Sequence, residues 1–254
     1  MDAMNSLGIS PVNKVSVEVQ AADALRDAIV RGQIPPGSRI TESQLATEMG
    51  LSRASVRTAL HNLAKEGLTS LIPYTGWTVV SLGANDVWEL YTLRSSMERL
   101  AARLLVESGD AQKIAAFGAT FLTLTRACAS ENSTEIAEAD FGLHKALIVL
   151  SGHGRLGVQY ENIERQIRMC IGSSDALIES PAAILEQHRP LAEAVLSGRA
   201  DLAAHHAESH NLTEGAKLRD HLQQREQLQD IEPVLRSSRG ATRLKNRKSR
   251  ALAT

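Results

Sequence analysis

The sequence is poor in aromatic residues and cysteine, and it contains no long uninterrupted apolar run. Aromatic side chains make up 3% of the 254 residues against an apolar fraction of 43%, so aliphatic side chains must fill the interior, which favours packed helices over a β-sandwich. Two cysteines, Cys128 and Cys170, are too few for a disulfide framework. No window is apolar for long enough to span a membrane, and the first residues lack the pattern of a signal peptide. We expect a cytoplasmic protein with no membrane segment.

The charges are nearly balanced overall but unevenly distributed. Residues 1–82 carry seven basic and seven acidic side chains, residues 83–229 carry fourteen and twenty, and residues 230–254 carry seven and two. The acidic middle segment disfavours contact with nucleic acid. A neutral N-terminal segment can still bind DNA if its arginines lie on one face. The basic C-terminal stretch can add sequence-independent DNA affinity or remain a solvated tail.

Residues 41–67 have the pattern of two short helices joined by a tight turn. Thr41 and Gln44 fit a capping box that begins the first helix, and Gly50 can take the left-handed conformation that ends it. Ser52 then caps a second helix, whose inward positions are Val56, Leu60 and Leu63. The outward positions carry hydrogen-bond donors, namely Arg53, Ser55, Arg57, Thr58 and His61. A helix that is apolar on one face and bears donors on the other is typical of a major-groove reader.

The flanking segments extend this pair to a winged helix-turn-helix. A first helix is expected over residues 19–30, and the glycines and adjacent prolines of residues 32–37 end it. After Gly67, two apolar runs flank the turn at residues 73–76, which is the pattern of a β-hairpin. We therefore place a flexible arm at residues 1–16 and a DNA-binding domain at residues 17–82.

From residue 83 onward the pattern is helical. A long helix begins near residue 85, and glycine- and serine-rich breaks divide residues 83–229 into about six helical segments with short connections, as in a bundle. Residues 230–254 are basic with few large apolar side chains, which predicts disorder. The predicted fold class is mainly α, with an N-terminal winged helix-turn-helix and a C-terminal all-helical bundle.

Residues 19–82 resemble the winged helix-turn-helix of the GntR family of bacterial transcription factors. The resemblance is carried, in this order, by Ile34-Pro-Pro-Gly-Ser-Arg-Ile40, Leu45-Ala46, Gly50-Leu-Ser-Arg53, Val56-Arg57, Ala59-Leu60, Leu63, Glu66-Gly-Leu68 and Gly76. The helical segment 83–229 resembles the effector domain of the FadR-like branch, the FCD domain, which also mediates dimerisation.

The resemblance implies a set of DNA-contacting residues in the predicted DNA-binding domain at residues 17–82, which we call the head. It implies contacts from Arg53 and Arg57, a wing tip at Gly76 near the minor groove, and a phosphate contact from Arg39. Ala54-Ser55 stands where the family commonly has proline, and Thr58 stands where it has glutamate, so the family's operator sequence does not transfer. The complete predicted set is Arg39, Ser52, Arg53, Ser55, Arg57, Thr58, His61 and Gly76.

A metal site is predicted in the helical segment. Asp140 and His144 are four residues apart and share one helix face. The FCD resemblance adds His188 and His210 as further ligands. One carboxylate and three imidazoles suit a first-row divalent ion, with zinc as the first choice and nickel or manganese as alternatives.

Other histidines leave alternatives open. His206 and His210 are also four residues apart and can chelate an ion without Asp140. An isolated histidine is more often a surface or capping group than a ligand, and the roles of His153 and His205 are open. His153 can tune the pocket or cap the next helix.

Arg94 is the predicted effector contact. A metal held by neutral imidazoles and one carboxylate attracts an anionic oxygen ligand, and a buried arginine can hold the far end of a small organic acid. The resemblance places Arg94 near this pocket. Arg94 can equally pair with Glu98, four residues further on.

These patterns predict a ligand-responsive transcriptional regulator, a repressor and not an enzyme. We expect a homodimer that binds palindromic double-stranded operator DNA and responds to a small organic acid. One alternative is a metal sensor, in which the ion itself is the signal. Another is a metal-dependent hydrolase fused to a DNA-binding head, which has no obvious general base although Glu138, Glu186 and Glu208 are near the ligands in sequence.

Overall fold

The computed structural model describes residues 16–175, 177–178 and 180–251, with the backbone alone described at residues 174–175 and 229–251. The chain divides into two compact units between Val80 and Ser81. The first unit contains helices α1 (Val17–Val30), α2 (Glu42–Met49) and α3 (Arg53–Lys65), with strands β1 (Arg39–Ile40), β2 (Thr69–Ile72) and β3 (Gly76–Val79). The second contains α4 (Ala84–Glu107), α5 (Ala111–Ser130), α6 (Ser133–Leu150), α7 (Gly154–Asp175), α8 (Pro181–Leu196) and α9 (Ala200–Ala251). The predicted fold class is confirmed.

Local capping explains the helix-turn-helix of the first unit. The Thr41 hydroxyl accepts a hydrogen bond from the Gln44 backbone N–H and begins α2, while Gly50 ends this helix at φ 65°. The Ser52 hydroxyl accepts from the Ser55 N–H and begins α3. The Thr41 hydroxyl supplies one half of the predicted capping box, while the Gln44 side-chain amide donates to Glu48 along α2.

The three strands form an antiparallel sheet in the order β1-β3-β2. In the hairpin, Leu71 pairs with Trp77 across the β2–β3 register. Strand β1 was not expected from the sequence, since its two residues pair only through the fold, with Ile40 opposite Trp77. The Trp77 side chain is buried inside the first unit, which is the head.

The second unit is a helical bundle with one apolar core. Its largest fully buried apolar side chains come from α4 to α7, and they are Tyr91, Leu105, Phe117, Leu124, Leu143, Leu147 and Tyr160. Both cysteines are free and buried, and burial raises the pKa of the Cys170 thiol to about 12. No helix among the described residues is long and apolar enough to cross a membrane.

The predictions for the two ends of the chain have different outcomes. The arm predicted for residues 1–16 lies, apart from Ser16, outside the described residues. The backbone of α9 continues to Ala251, whereas the sequence predicts disorder from residue 230. Arginine, lysine, alanine and leucine are good helix formers, so a lack of large apolar groups does not by itself end a helix.

Candidate functional site

Three histidines and one aspartate converge in the interior of the helical unit. Asp140 and His144 lie on α6, His188 on α8 and His210 on α9. One ligand atom from each histidine lies within 4.8 Å of the others. The Asp140 carboxylate lies 3.4 Å from Nε2 of His144 and 3.2 Å from Nε2 of His188. The fold thus brings together all four predicted metal ligands from three helices.

The hydrogen bonds on the outer side of the rings fix which nitrogen faces the cluster. Nδ1 of His188 lies 2.8 Å from the Ile184 carbonyl oxygen, which can only accept, so Nδ1 donates. Nδ1 of His144 lies 2.6 Å from the Glu98 carboxylate and likewise donates. In the neutral rings both Nε2 atoms therefore carry a lone pair, and they face each other at 3.1 Å. A cation between the two nitrogens would remove the repulsion between these lone pairs.

The donor set fits a tetrahedral metal ion. Zinc holds imidazole nitrogens at ~2.0–2.1 Å, which places neighbouring ligand atoms about 3.3 Å apart. Nε2 of His144 and Nε2 of His188 are 3.1 Å apart, and they lie 3.4 Å from Oδ1 and 3.2 Å from Oδ2 of Asp140, respectively, which are separations close to this spacing. Burial lowers the pKa of His144, and burial together with the neighbouring His188 lowers the pKa of His210 well below its usual value. Neutral imidazole is the form that binds metal.

A buried carboxylate, Glu98 on α4, supports the cluster from behind. It accepts hydrogen bonds from the Arg94 guanidinium at 2.7 Å, the Tyr160 hydroxyl at 2.9 Å and the Asn211 amide at 2.7 Å, as well as from His144. Burial opposes its charge, but the facing Arg94 and His144 hold the pKa of Glu98 well below its usual range. Glu98 therefore stays ionised and orients the His144 ring.

Arg94 links this network to a small pocket. Its Nε donates to Glu98, as the ion-pair alternative predicts, while its Nη2 is buried without a hydrogen-bond partner among the described residues. The residues that line the pocket are Tyr91, Arg94, Asp140, Ile171, Gln187, His188, His210 and Glu214. Arg94 thus pairs with Glu98 and also lines the pocket, so the two positions that the sequence left open are both found.

The remaining histidines lie outside this cluster. His153 precedes α7, and its Nδ1 accepts the Leu156 N–H, which is the capping role. His205 and His206 have ring centroids 5.5 Å apart on α9, and neither belongs to the convergent group found among the described residues. Burial lowers the pKa of His206.

The predicted DNA-contacting side chains of the head fall into two groups. Arg39, Arg53, Arg57 and His61 are exposed, the first on β1 and the others on α3, and Gly76 begins β3 at φ 103°. The three hydroxyls, in contrast, are engaged within the head. The Ser52 hydroxyl caps α3, Ser55 donates to Glu18 at 2.8 Å, and Thr58 donates to the Ala54 carbonyl at 3.1 Å.

Sequence reasoning missed several members of both sites. Tyr160 and Asn211 of the buried network carry no local motif, although Asn211 adjoins His210 in sequence. In the head it missed Glu42, which contacts both arginines of α3. The side-by-side hydrogen bonds from Arg57, opposed by partial burial, lower the pKa of Glu42 to about 2.

Together these features define a class of protein: a DNA-binding regulator with a winged helix-turn-helix head and a helical domain that encloses a ligand site. Residues 18–79 match the model of the bacterial regulatory proteins of the gntR family, and residues 89–213 match the FCD domain. The chain belongs to the GntR family of transcriptional regulators, which are DNA-binding proteins and not enzymes.

Relatives support this assignment, and a solved structure shares the fold. The chain is 28% identical over 193 residues to the HTH-type transcriptional regulator YdhC of Bacillus subtilis, covering 76% of this chain and 86% of the relative. It is 25% identical over 201 residues to the probable D-xylose utilization operon transcriptional repressor of Paenarthrobacter nicotinovorans, covering 76% and 85%. The structure of Escherichia coli McbR/YncC shares the fold, with a TM-score of 0.67 at 22% identity over 82% of this chain and 99% of that one.

Proposed function

We propose that this regulator is a ligand-responsive repressor that acts in the cytoplasm as a homodimer on palindromic operator DNA. In this proposal a divalent metal ion, zinc in the first instance, is held by Asp140, His144, His188 and His210. A small organic acid binds beside the metal and alters the affinity of the heads for the operator. The ion would supply positive charge that attracts an acid oxygen.

The observation that carries the proposal is the convergence of bare lone pairs in a buried site. Two Nε2 atoms 3.1 Å apart and a carboxylate face one another, with the outer nitrogens committed to Glu98 and Ile184. With both rings neutral, these lone pairs repel one another unless a cation lies between them. The donor type and the spacing suit a tetrahedral ion with one or more positions open to an effector.

The acid is inferred from Arg94. A guanidinium edge that is buried and unpartnered among the described residues incurs a desolvation cost, which a carboxylate removes by accepting a charge-assisted hydrogen bond. The same pocket is lined by Asp140, His188 and His210 of the candidate metal site. A small acid with one oxygen toward the metal site and another toward Arg94 meets both requirements.

Repression and dimerisation are supported by the relatives and by symmetry. Relatives named as repressors include the probable D-xylose operon repressor, the gluconate operon repressor of Bacillus subtilis, which is 26% identical over 153 residues, and the repressor MngR of Escherichia coli, which is 38% identical over 85 residues. A single helix-turn-helix presents one reading helix, and two copies related by a two-fold axis read a palindromic site.

The test is a thermal-shift screen of small carboxylic acids on zinc-loaded protein, with metal content from elemental analysis. A ligand of the native state at 100 times its Kd adds about 2.7 kcal/mol of stability. We expect at least one acid to raise the Tm of the wild type and of His206→Ala. His210→Ala should lose both the metal and the response.

Three outcomes would contradict parts of the proposal. A His206→Ala variant without metal and an Asp140→Ala variant that keeps it would contradict the ligand set. A metal-loaded protein that no acid stabilises would contradict the effector class. If metal alone changed operator affinity and no acid did, the protein would be a metal sensor.

A further inference from the structure

An acidic residue lies within the DNA-reading face of the head. Glu42, in the first turn of α2, contacts Arg57 of α3 through two hydrogen bonds, from Nε at 2.8 Å and from Nη2 at 2.7 Å. Nη2 of Arg53 lies 3.7 Å from the same carboxylate. Both arginines that we assign to operator contact thus share one counter-charge.

The carboxylate is itself fixed by the wing. The indole N–H of Trp77 on β3 donates to Oε1 of Glu42 at 3.3 Å, and the Trp77 ring is buried. The Glu42 side chain is 15% exposed, whereas those of Arg57 and Arg53 are 54% and 66% exposed. Glu42 is therefore the anchored partner, and the arginines extend from it toward solvent.

The geometry of the pair leaves one edge of Arg57 available. A guanidinium has five N–H groups, and Glu42 uses one on Nε and one on Nη2, which together form the side edge. The remaining groups lie on Nη1 and Nη2 at the tip. The tip can donate two parallel hydrogen bonds to O6 and N7 of a guanine, the commonest specific contact in the major groove.

We propose that Glu42 is a positioning and specificity-determining residue for operator recognition, which holds the side edge of Arg57 so that its tip faces a base. Its negative charge also offsets the attraction of Arg53 and Arg57 for phosphates, which is independent of sequence. Glu42 thus lowers binding to random DNA while it favours the correct site. Glu42 is one of the seven acidic side chains that balance seven basic ones in residues 1–82.

The inference rests on the proposed role of Arg57 as a base reader, and the experiment separates the two. The full-length protein first selects its operator from a random duplex library. The Kd for that operator and for a scrambled duplex is then measured by fluorescence anisotropy at several salt concentrations. The variants are Glu42→Gln, Glu42→Asp, Arg57→Ala and the double variant with Glu42→Gln and Arg57→Ala.

We expect Glu42→Gln to bind the scrambled duplex more tightly and the operator more weakly, so that the ratio of the two Kd values falls about tenfold. Glu42→Asp keeps the charge on a shorter side chain. We expect this variant to lower the ratio of the Kd for scrambled DNA to the Kd for the operator, without gaining affinity for scrambled DNA. The matched control is Glu48→Gln on the same helix, which removes one charge at an exposed residue that pairs with Gln44. Its ratio should stay unchanged.

The outcomes are distinguishable. If Arg57→Ala leaves operator affinity unchanged, the reader assignment fails. If Arg57→Ala weakens the operator complex but Glu42→Gln only matches Glu48→Gln, the inference about Glu42 is overturned alone. If Glu42→Gln lowers the ratio equally with and without Arg57, Glu42 acts through the fold of the head and not through that arginine.

Discussion

At the scale of single residues, Glu98 connects the candidate metal site to the rest of the helical unit. One fully buried carboxylate accepts hydrogen bonds from side chains of α4, α6, α7 and α9, and each donor satisfies part of its charge. A buried carboxylate is tolerated only when its lone pairs are used, so every donor has a measurable effect. The outer bond to His144 shows how this residue also directs a ligand nitrogen toward the cluster.

Tyr160→Phe tests this network with the smallest change in shape. The variant removes the hydroxyl that donates to Glu98 at 2.9 Å and keeps the ring in the core. Because the lost hydrogen bond is to a charged group, we expect the free energy of unfolding to fall by about 1.5–3 kcal/mol in urea titrations. Tyr74→Phe, at a fully exposed ring in the wing turn, is the control and should change stability little. Equal effects of the two variants would show that the hydroxyl bond is unimportant.

The sequence predicts part of the buried site at this scale and misses part. The spacing of Asp140 and His144 on one helix, and of Arg94 and Glu98 on another, is visible because residues four apart share a face. Tyr160 and Asn211 reach Glu98 from other helices, and only the packing of the bundle determines that meeting. Long-range contacts of this kind leave no local pattern.

At the scale of elements, the packing of α9 against α4 depends on a glycine. A Cβ built on Gly215 of α9 would lie 2.5 Å from Cβ of Tyr91 on α4, closer than real atoms approach. Tyr91 is fully buried, and its Cβ is tied to the backbone, so it cannot move away cheaply. The same two helices carry Arg94, Glu98 and His210, so this close approach also positions the site.

Gly215→Ala should therefore destabilise the protein, although alanine is the better helix former. We expect a loss of about 1–3 kcal/mol from overpacking, measured by urea unfolding. Gly157→Ala on α7 is the matched control, because no heavy atom lies within 4 Å of the added methyl group. That variant should gain about 0.5–1 kcal/mol from helix propensity alone. A stabilised Gly215→Ala variant would contradict the packing argument.

Which elements can be predicted depends on whether their signals are local. Ser52 marks the start of α3 and Gly50 marks the end of α2, because capping depends on residues only a few positions apart. Strand β1 has only Arg39 and Ile40 and exists through its pairing with β3, so no periodicity announces it. The contacts of Glu42 could not be predicted for the same reason, since its partners Arg57 and Trp77 lie 15 and 35 residues away in sequence.

At the scale of the whole molecule, the chain forms two compact units, to which we assign two different roles. The first carries the arginines that we assign to DNA, and the second carries the buried cluster and pocket. The acidic excess of residues 83–229 disfavours contact between nucleic acid and the second unit, whereas in the charge-balanced residues 1–82 DNA affinity depends on where a few arginines lie. Regulation then requires that occupancy of the pocket change the free energy of operator binding.

Such coupling must be reciprocal if the proposed function is correct. If the acid found in the thermal-shift screen weakens operator binding by a given factor, the operator must weaken binding of that acid by the same factor, typically 5- to 150-fold. Anisotropy titrations of the operator with and without the acid give one factor, and calorimetric titrations of the acid with and without the operator give the other. Asp140→Ala and His206→Ala, compared in the same titrations, should abolish and preserve the coupling, because only the first removes a proposed ligand of the ion that holds the acid. An acid that binds but leaves operator affinity unchanged would contradict the proposed regulation, and unequal factors would show that a further equilibrium, such as a change of oligomeric state, accompanies binding.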